Sequence, residues 1–110
     1  MTNEKLIFVF FTAPDDAAAD KITERLLEER IAACVSRVPN ILSVYRWKGK
    51  VERSDEILLI AKTRVNRFKE VEEAIIHLHP YEVPEIVAVQ ASAAHEAYAK
   101  WVAEETSSTK

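Results

Sequence analysis

Two runs in this chain, Leu6-Ile7-Phe8-Val9-Phe10-Phe11 and Ile57-Leu58-Leu59-Ile60-Ala61, are apolar at every position. Their length and their β-branched and aromatic content suit strands. Successive side chains of a strand point to opposite faces, so a sheet built on these runs needs cover on both sides. A strand facing water on one side would alternate apolar with polar residues, and neither run does. With 110 residues the chain holds one domain. The question is whether its own helices can cover both faces.

Two long helices are predicted. Pro14-Asp15-Asp16 opens the first, because the aspartates can accept free N–H groups and sit against the positive end of the helix dipole. Ala19, Ile22, Leu26 and Leu27 form its apolar stripe, and it ends near Arg30. Asn66 is the predicted N-cap of the second, which lines one face with Phe68, Val71, Ile75 and Leu78. Between them runs a strand from Ala32 to Val35, interrupted at Pro39-Asn40 and resumed from Ile41 to Trp47. A proline there marks an edge strand or a bulge. Lys48-Gly49-Lys50 makes a tight turn on the chain's one glycine, and the strand returns from Val51 to Thr63. Ile86 to Val89 is a short last strand. His95 to Glu105 is a terminal helix with Tyr98, Trp101 and Val102 on its apolar side, and Thr106 to Lys110 reads as a polar tail with nothing to bury.

The order β-α-β-β-α-β plus a last helix predicts a single α+β domain over residues 1–110: a ferredoxin-like sandwich with two helices on one face of an antiparallel sheet. Two helices cover one face. The other stays apolar, and self-association of sheet against sheet is the expected remedy.

Composition narrows the function. Net charge is −3, giving no overall field for nucleic acid. Tyr45-Arg46-Trp47-Lys48-Gly49-Lys50 mixes cations with aromatics as a single-strand platform would, but the Lys/Arg-Gly-aromatic signature of RNA-binding ferredoxin-like domains is missing. Anchoring on a neighbouring subunit is the favoured reading of that hairpin. A single glycine excludes Gly-rich phosphate loops. Acylphosphatase-type chemistry is disfavoured too, since the loop after the first strand, Thr12-Ala13-Pro14-Asp15-Asp16, is acidic and would repel phosphate. One cysteine, Cys34, allows no internal disulfide and suits a reducing compartment. The first apolar run is shorter than the roughly 7–15 residues of a secretory core and no stretch approaches a membrane span, so a cytoplasmic protein without a membrane partner is expected.

Chemistry-bearing residues concentrate in Leu78-His79-Pro80-Tyr81-Glu82-Val83-Pro84-Glu85-Ile86. Each proline fixes its own φ and drives the residue before it, His79 or Val83, toward extended geometry. His77 and His79 share an ion only if the helix has ended between them, and exposed helix-end histidines are the favoured alternative. Across subunits, His79 with Glu82 or Glu85 could collect a weakly held ion, copper or zinc rather than calcium. Cys34 reads as inert packing. No nucleophile stands beside an identifiable base, so no enzymatic reaction is expected.

Taken together, Thr12-Ala13-Pro14-Asp15, Ala32-Ala33-Cys34-Val35, Ser43-Val44-Tyr45-Arg46-Trp47-Lys48-Gly49-Lys50-Val51-Glu52, Lys62-Thr63 and the Leu78–Ile86 segment, with Tyr98 and Trp101, resemble the CutA family of divalent-cation tolerance proteins. The resemblance runs over almost the whole chain. It implies a ferredoxin-like protomer in a tight homotrimer, a link to copper and other divalent ions, and no established reaction. It also implies a trimer similar to PII-type signalling proteins, and thereby an alternative role as a sensor with ligand or partner clefts between subunits, near Tyr81, Glu85 and Trp47. Family members proposed to bind copper carry a cysteine where this chain has Phe11 and a second histidine where it has Leu78. His79 is the one residue of that ligand set present here, and it is the metal ligand the resemblance implies. The chain also departs at Asn40, Gln90 and Ala94, where the family commonly has glycine, proline and glycine.

Overall fold

A computed structural model describes residues 5–107. In chain order it contains β1 (Leu6–Ala13), α1 (Asp16–Glu28), β2 (Cys34–Trp47), β3 (Lys50–Arg64), a 3-10 turn (Val65–Arg67), α2 (Phe68–Leu78), β4 (Ile86–Gln90) and α3 (Glu96–Glu105). The strands form one antiparallel sheet in the order β2-β3-β1-β4. This is the ferredoxin-like arrangement with an added C-terminal helix.

The sheet separates by strand parity. Ile7, Val9, Phe11 and Ala13 of β1, with Ile57, Leu59 and Ala61 of β3, are buried against Ile22 and Leu26 of α1 and Val71, Ala74 and Ile75 of α2. Full burial of each larger side chain contributes about 1.5–3 kcal/mol. The α1 stripe is rotated slightly from expectation. Leu27 is 43% exposed, and Ala18 is buried instead.

Local signals hold at several joints. Asp15 accepts from the Ala18 N–H through Oδ1 at 2.9 Å, a true N-cap. The helix stops at Glu28, and Arg30 turns the chain in the left-handed region at φ 59°. Asn66, by contrast, is not a cap. It lies inside the 3-10 turn, and Arg67, which precedes Phe68, makes no side-chain cap bond. The β2–β3 register jumps between Val38 and Ile41, with Asn40 at φ 61°, so Pro39 does mark a bulge on an edge strand. Past it, β2 and β3 continue as a two-stranded arm. Lys48 and Gly49, at φ 52° and 84°, close it between the paired Trp47 and Lys50, as a two-residue hairpin requires.

The opposite sheet face is covered only in part. α3 packs against β3 and β1, where Leu6 and Val102 are buried. Arg64 donates to the Thr106 hydroxyl at 2.8 Å and to its carbonyl at 2.7 Å, and Arg67 donates to the same carbonyl at 2.7 and 3.0 Å. Arg30 reaches the carbonyls of Ser107 and Glu104 at 3.0 and 3.1 Å. Three guanidiniums thus meet the negative end of α3. Thr106, the first residue of the expected polar tail, is fully buried and supplies the acceptors for Arg64 and Arg67; residues 108–110 of that tail lie outside the described residues. Elsewhere on this face Phe8, Phe10, Leu58 and Ile60 stay half-buried, and Val87 and Val89 are 51% and 52% exposed.

Candidate functional site

The prolines act as the sequence suggests. α2 ends at Leu78, and His79 is extended at φ −83°, ψ 138° before Pro80, its N–H still bonded to the Ile75 carbonyl at 2.8 Å. The His79 side chain turns inward and is 8% exposed. Its Nδ1 accepts from the Tyr81 N–H at 3.0 Å, so that nitrogen carries no proton, and Nε2–H donates to the Thr12 carbonyl at 2.7 Å. Both ring nitrogens are thereby occupied. The imidazole ties the end of α2 to the end of β1 and fixes the start of the following segment.

Tyr81 is what this brace positions. Its ring lies 4.6 Å from the imidazole, centroid to centroid, at a 54° tilt. The hydroxyl donates to Glu56 Oε2 at 2.7 Å, and the Thr12 hydroxyl donates to the same oxygen at 3.3 Å. Glu56 is 6% exposed. Burial, then the bond to Glu56, then the charge of that carboxylate hold the Tyr81 phenol well above its ordinary titration range. Tyr81 therefore remains a proton donor at neutral pH.

A cleft of about 570 Å³ opens between this segment and the β2–β3 arm. Ser43, Tyr45 and Trp47 form one wall, Pro80 to Glu85 the other, and Thr12 and Glu56 also line it. Ile41↔Glu56 and Trp47↔Lys50 are directly paired in the ladder, so alternate residues of β2 from Ser43 to Trp47 share the Glu56 face. Tyr45 is held by a 2.8 Å hydrogen bond to Ser54. Lys48 sits 5.5 Å from the Trp47 ring centroid and 3.8 Å from Glu82. Both partners of that ion pair are about 70% exposed, so it contributes little to stability.

The remaining singled-out residues are scattered. His77 and His95 are exposed while His79 is buried, and the three do not converge. Among the described residues no group of three or more His, Cys, Asp or Glu side chains is placed to hold a metal ion. Cys34 is half-buried, with Lys62 Nζ 3.6 Å from its sulfur. Sequence reasoning missed Glu56 and Thr12. The available signal was parity: Glu56 lies two residues before Leu58 and four before Ile60 in one strand, so it belongs to an otherwise apolar face. What the cleft offers chemically is a set of binding groups: a buried carboxylate, a phenol and an indole.

The family description "CutA1 divalent ion tolerance protein" matches residues 7–105, from β1 through α3. The divalent-cation tolerance protein CutA of Thermus thermophilus is 43% identical over 98 residues, covering 89% of this chain and 95% of that protein. A CutA homolog of Xenopus laevis is 40% identical over 93 residues and 84% of this chain, but only 62% of its own length is matched. The crystal structure of CutA1 from Oryza sativa superposes with a TM-score of 0.92 at 35% identity, covering 99% of this chain and 100% of that one. The match extends from β1 through α3, and the chain belongs to the CutA1 family of divalent ion tolerance proteins.

Proposed function

We propose that this chain assembles as a homotrimer through the uncovered face of its sheet and serves the cytoplasmic response to divalent cations by binding, not by catalysis. The observation that carries the assembly is the row of half-buried and exposed apolar side chains, Phe8, Phe10, Leu58, Ile60, Val87 and Val89, on one face. A surface of that kind is unfavourable in water and favours a partner sheet. The single half-buried thiol of Cys34 agrees with a reducing compartment, and no helix among the described residues is long and apolar enough to cross a membrane.

The residues of one chain do not fit a resident ion. His79 spends both nitrogens on Tyr81 and Thr12, and Glu82 and Glu85 are exposed. Copper or another divalent ion at His79 has to displace the Tyr81 N–H from Nδ1. Equilibrium dialysis with Cu²⁺ tests this: binding that disappears in a folded His79→Ala variant assigns the ion to the imidazole, and equal binding removes His79 from any metal site.

The cleft between the arm and the Pro80–Glu85 segment favours a second reading, a PII-like sensor of a small molecule or partner. A ligand that binds only the native protein raises its apparent melting temperature. A thermal-shift screen over metal ions and metabolites separates the readings, because metal-only shifts support the first and metabolite shifts the second.

A further inference from the structure

The cleft is rich in acceptors and poor in cations. Glu56, Glu82 and Glu85 line it, and among the described residues no lysine or arginine does. The charge at its floor is the buried one: Glu56 Oε2 takes hydrogen bonds from Tyr81 and Thr12, while among the described residues no group donates to Oε1. Oε1 is reached by solvent at the cleft, so that oxygen of Glu56 has capacity for a donor from a ligand. Tyr81 spends its own proton on Glu56, which leaves its hydroxyl oxygen as an acceptor toward the cleft. The wall opposite is aromatic. Trp47 is an indole half open to solvent that already draws Lys48 to 5.5 Å from its ring centroid, and Tyr45 beside it is fixed by Ser54. Negative ring faces attract a cation within about 6 Å.

These features are independent of one another and agree on the sign of the guest. A carboxylate or phosphate ligand meets three carboxylates, with Lys48 at the rim already engaged by Glu82. A protonated amine meets an acceptor at the floor and an aromatic face at the wall. The volume, about 570 Å³, lies within the roughly 300–1,000 Å³ of small-molecule sites.

We propose that this cleft binds a small organic ammonium ion, a protonated primary amine on an apolar stem, with its N–H groups on Glu56 and the Tyr81 oxygen and its stem against Trp47. The proposal rests on the second reading above, in which the cleft is a ligand site, and adds the class of ligand. Glu56 selects the charge and Trp47 the apolar stem. An ammonium head can give three N–H bonds, whereas a bare metal ion finds no ligand set among the described residues.

Benzylamine tests it, with benzyl alcohol and benzoate as neutral and anionic probes of nearly the same shape. Titration calorimetry of the full-length protein at pH 7 is expected to show benzylammonium binding at least tenfold more tightly than benzoate. Glu56→Gln keeps an acceptor for Tyr81 and Thr12 while removing the charge, and is expected to weaken benzylammonium at least tenfold with little change for benzyl alcohol. Trp47→Ala, at the cleft wall, is expected to weaken all probes that bind while light scattering shows the assembly unchanged. Because Glu56→Gln touches a buried group, a melting curve accompanies it, and Trp47→Ala provides an independent arm should that variant unfold. Benzoate binding as well as the amine, lost in Trp47→Ala, overturns the ammonium assignment and leaves the cleft as a ligand site. Binding of none of the three probes, or binding indifferent to both substitutions, overturns both.

Discussion

Side chains leaving β1 on its two sides meet different surroundings. Ile7, Val9 and Phe11 enter a sealed core beneath α1 and α2, while Phe8 and Phe10, one residue away and equally apolar, stay half-buried on the opposite face. The difference follows from the number of helices the chain can place. α1 and α2 close one face, and α3 reaches only the end of the other, where Leu6 and Val102 are buried. Apolar residues on the closed face stabilise the protomer. Those on the open face are only partly covered by the described residues, and the proposed trimer completes their burial.

That contrast can be broken directly. The largest effect is expected from Phe10→Glu combined with Ile60→Glu, neighbours across the β1–β3 ladder. Two carboxylates on a face that must be dry in an assembly should reduce the particle to a single chain by light scattering while far-UV circular dichroism is retained. Loss of secondary structure with assembly unchanged in the remaining folded fraction contradicts the division of labour. Phe11→Ala attacks the other side. Truncating a fully buried phenylalanine costs about 3–5 kcal/mol, measured by urea unfolding at fixed protein concentration, because an oligomer's stability depends on that concentration.

Smaller effects sharpen the comparison at the cleft, which opens on the same side as the uncovered face. Tyr81→Phe removes one of two bonds to Glu56 Oε2, and loss of a hydrogen bond to a charged group costs about 1.5–3 kcal/mol. It should also change the alkaline limb. The folded Tyr81 phenol titrates above its unfolded value of about 10, so its contribution is fully present below that pH. The contribution falls as pH rises beyond it, because the unfolded chain releases the proton first. The wild type is therefore expected to lose stability above about pH 10, and Tyr81→Phe to lose less over the same window. Tyr98, also raised by burial, keeps the variant's limb from becoming flat. Asp15→Ala, at the start of α1, should cost about 1 kcal/mol through the lost cap, read from the same urea curves.

How much of this was legible in the sequence depended on range. The Asp15 cap, the Pro39 bulge and the Lys48-Gly49 turn are set by neighbours in the chain, and the sequence signals for them held. Element order led to the fold because each helix stripe and each apolar run is itself local. Asn66 misled because the chain enters α2 through a 3-10 turn, with the Arg67 side chain drawn away to Thr106 and Glu70. The candidate site was half visible. The prolines announced the segment, but His79 bonds a carbonyl 67 positions away, and Tyr81 meets Glu56 across 25. Such partners depend on β3 lying between β1 and β2 in the sheet, an arrangement that no single stretch encodes. Thr106 failed for the same reason, since its partners are arginines from β3 and the turn before α2.

The central claim, that the uncovered sheet face is an assembly face, is tested most directly by size-exclusion chromatography with multi-angle light scattering on the unmodified chain at micromolar concentration. The account predicts a particle of three times the 12.5 kDa chain mass. A stable species of 12.5 kDa under those conditions contradicts it.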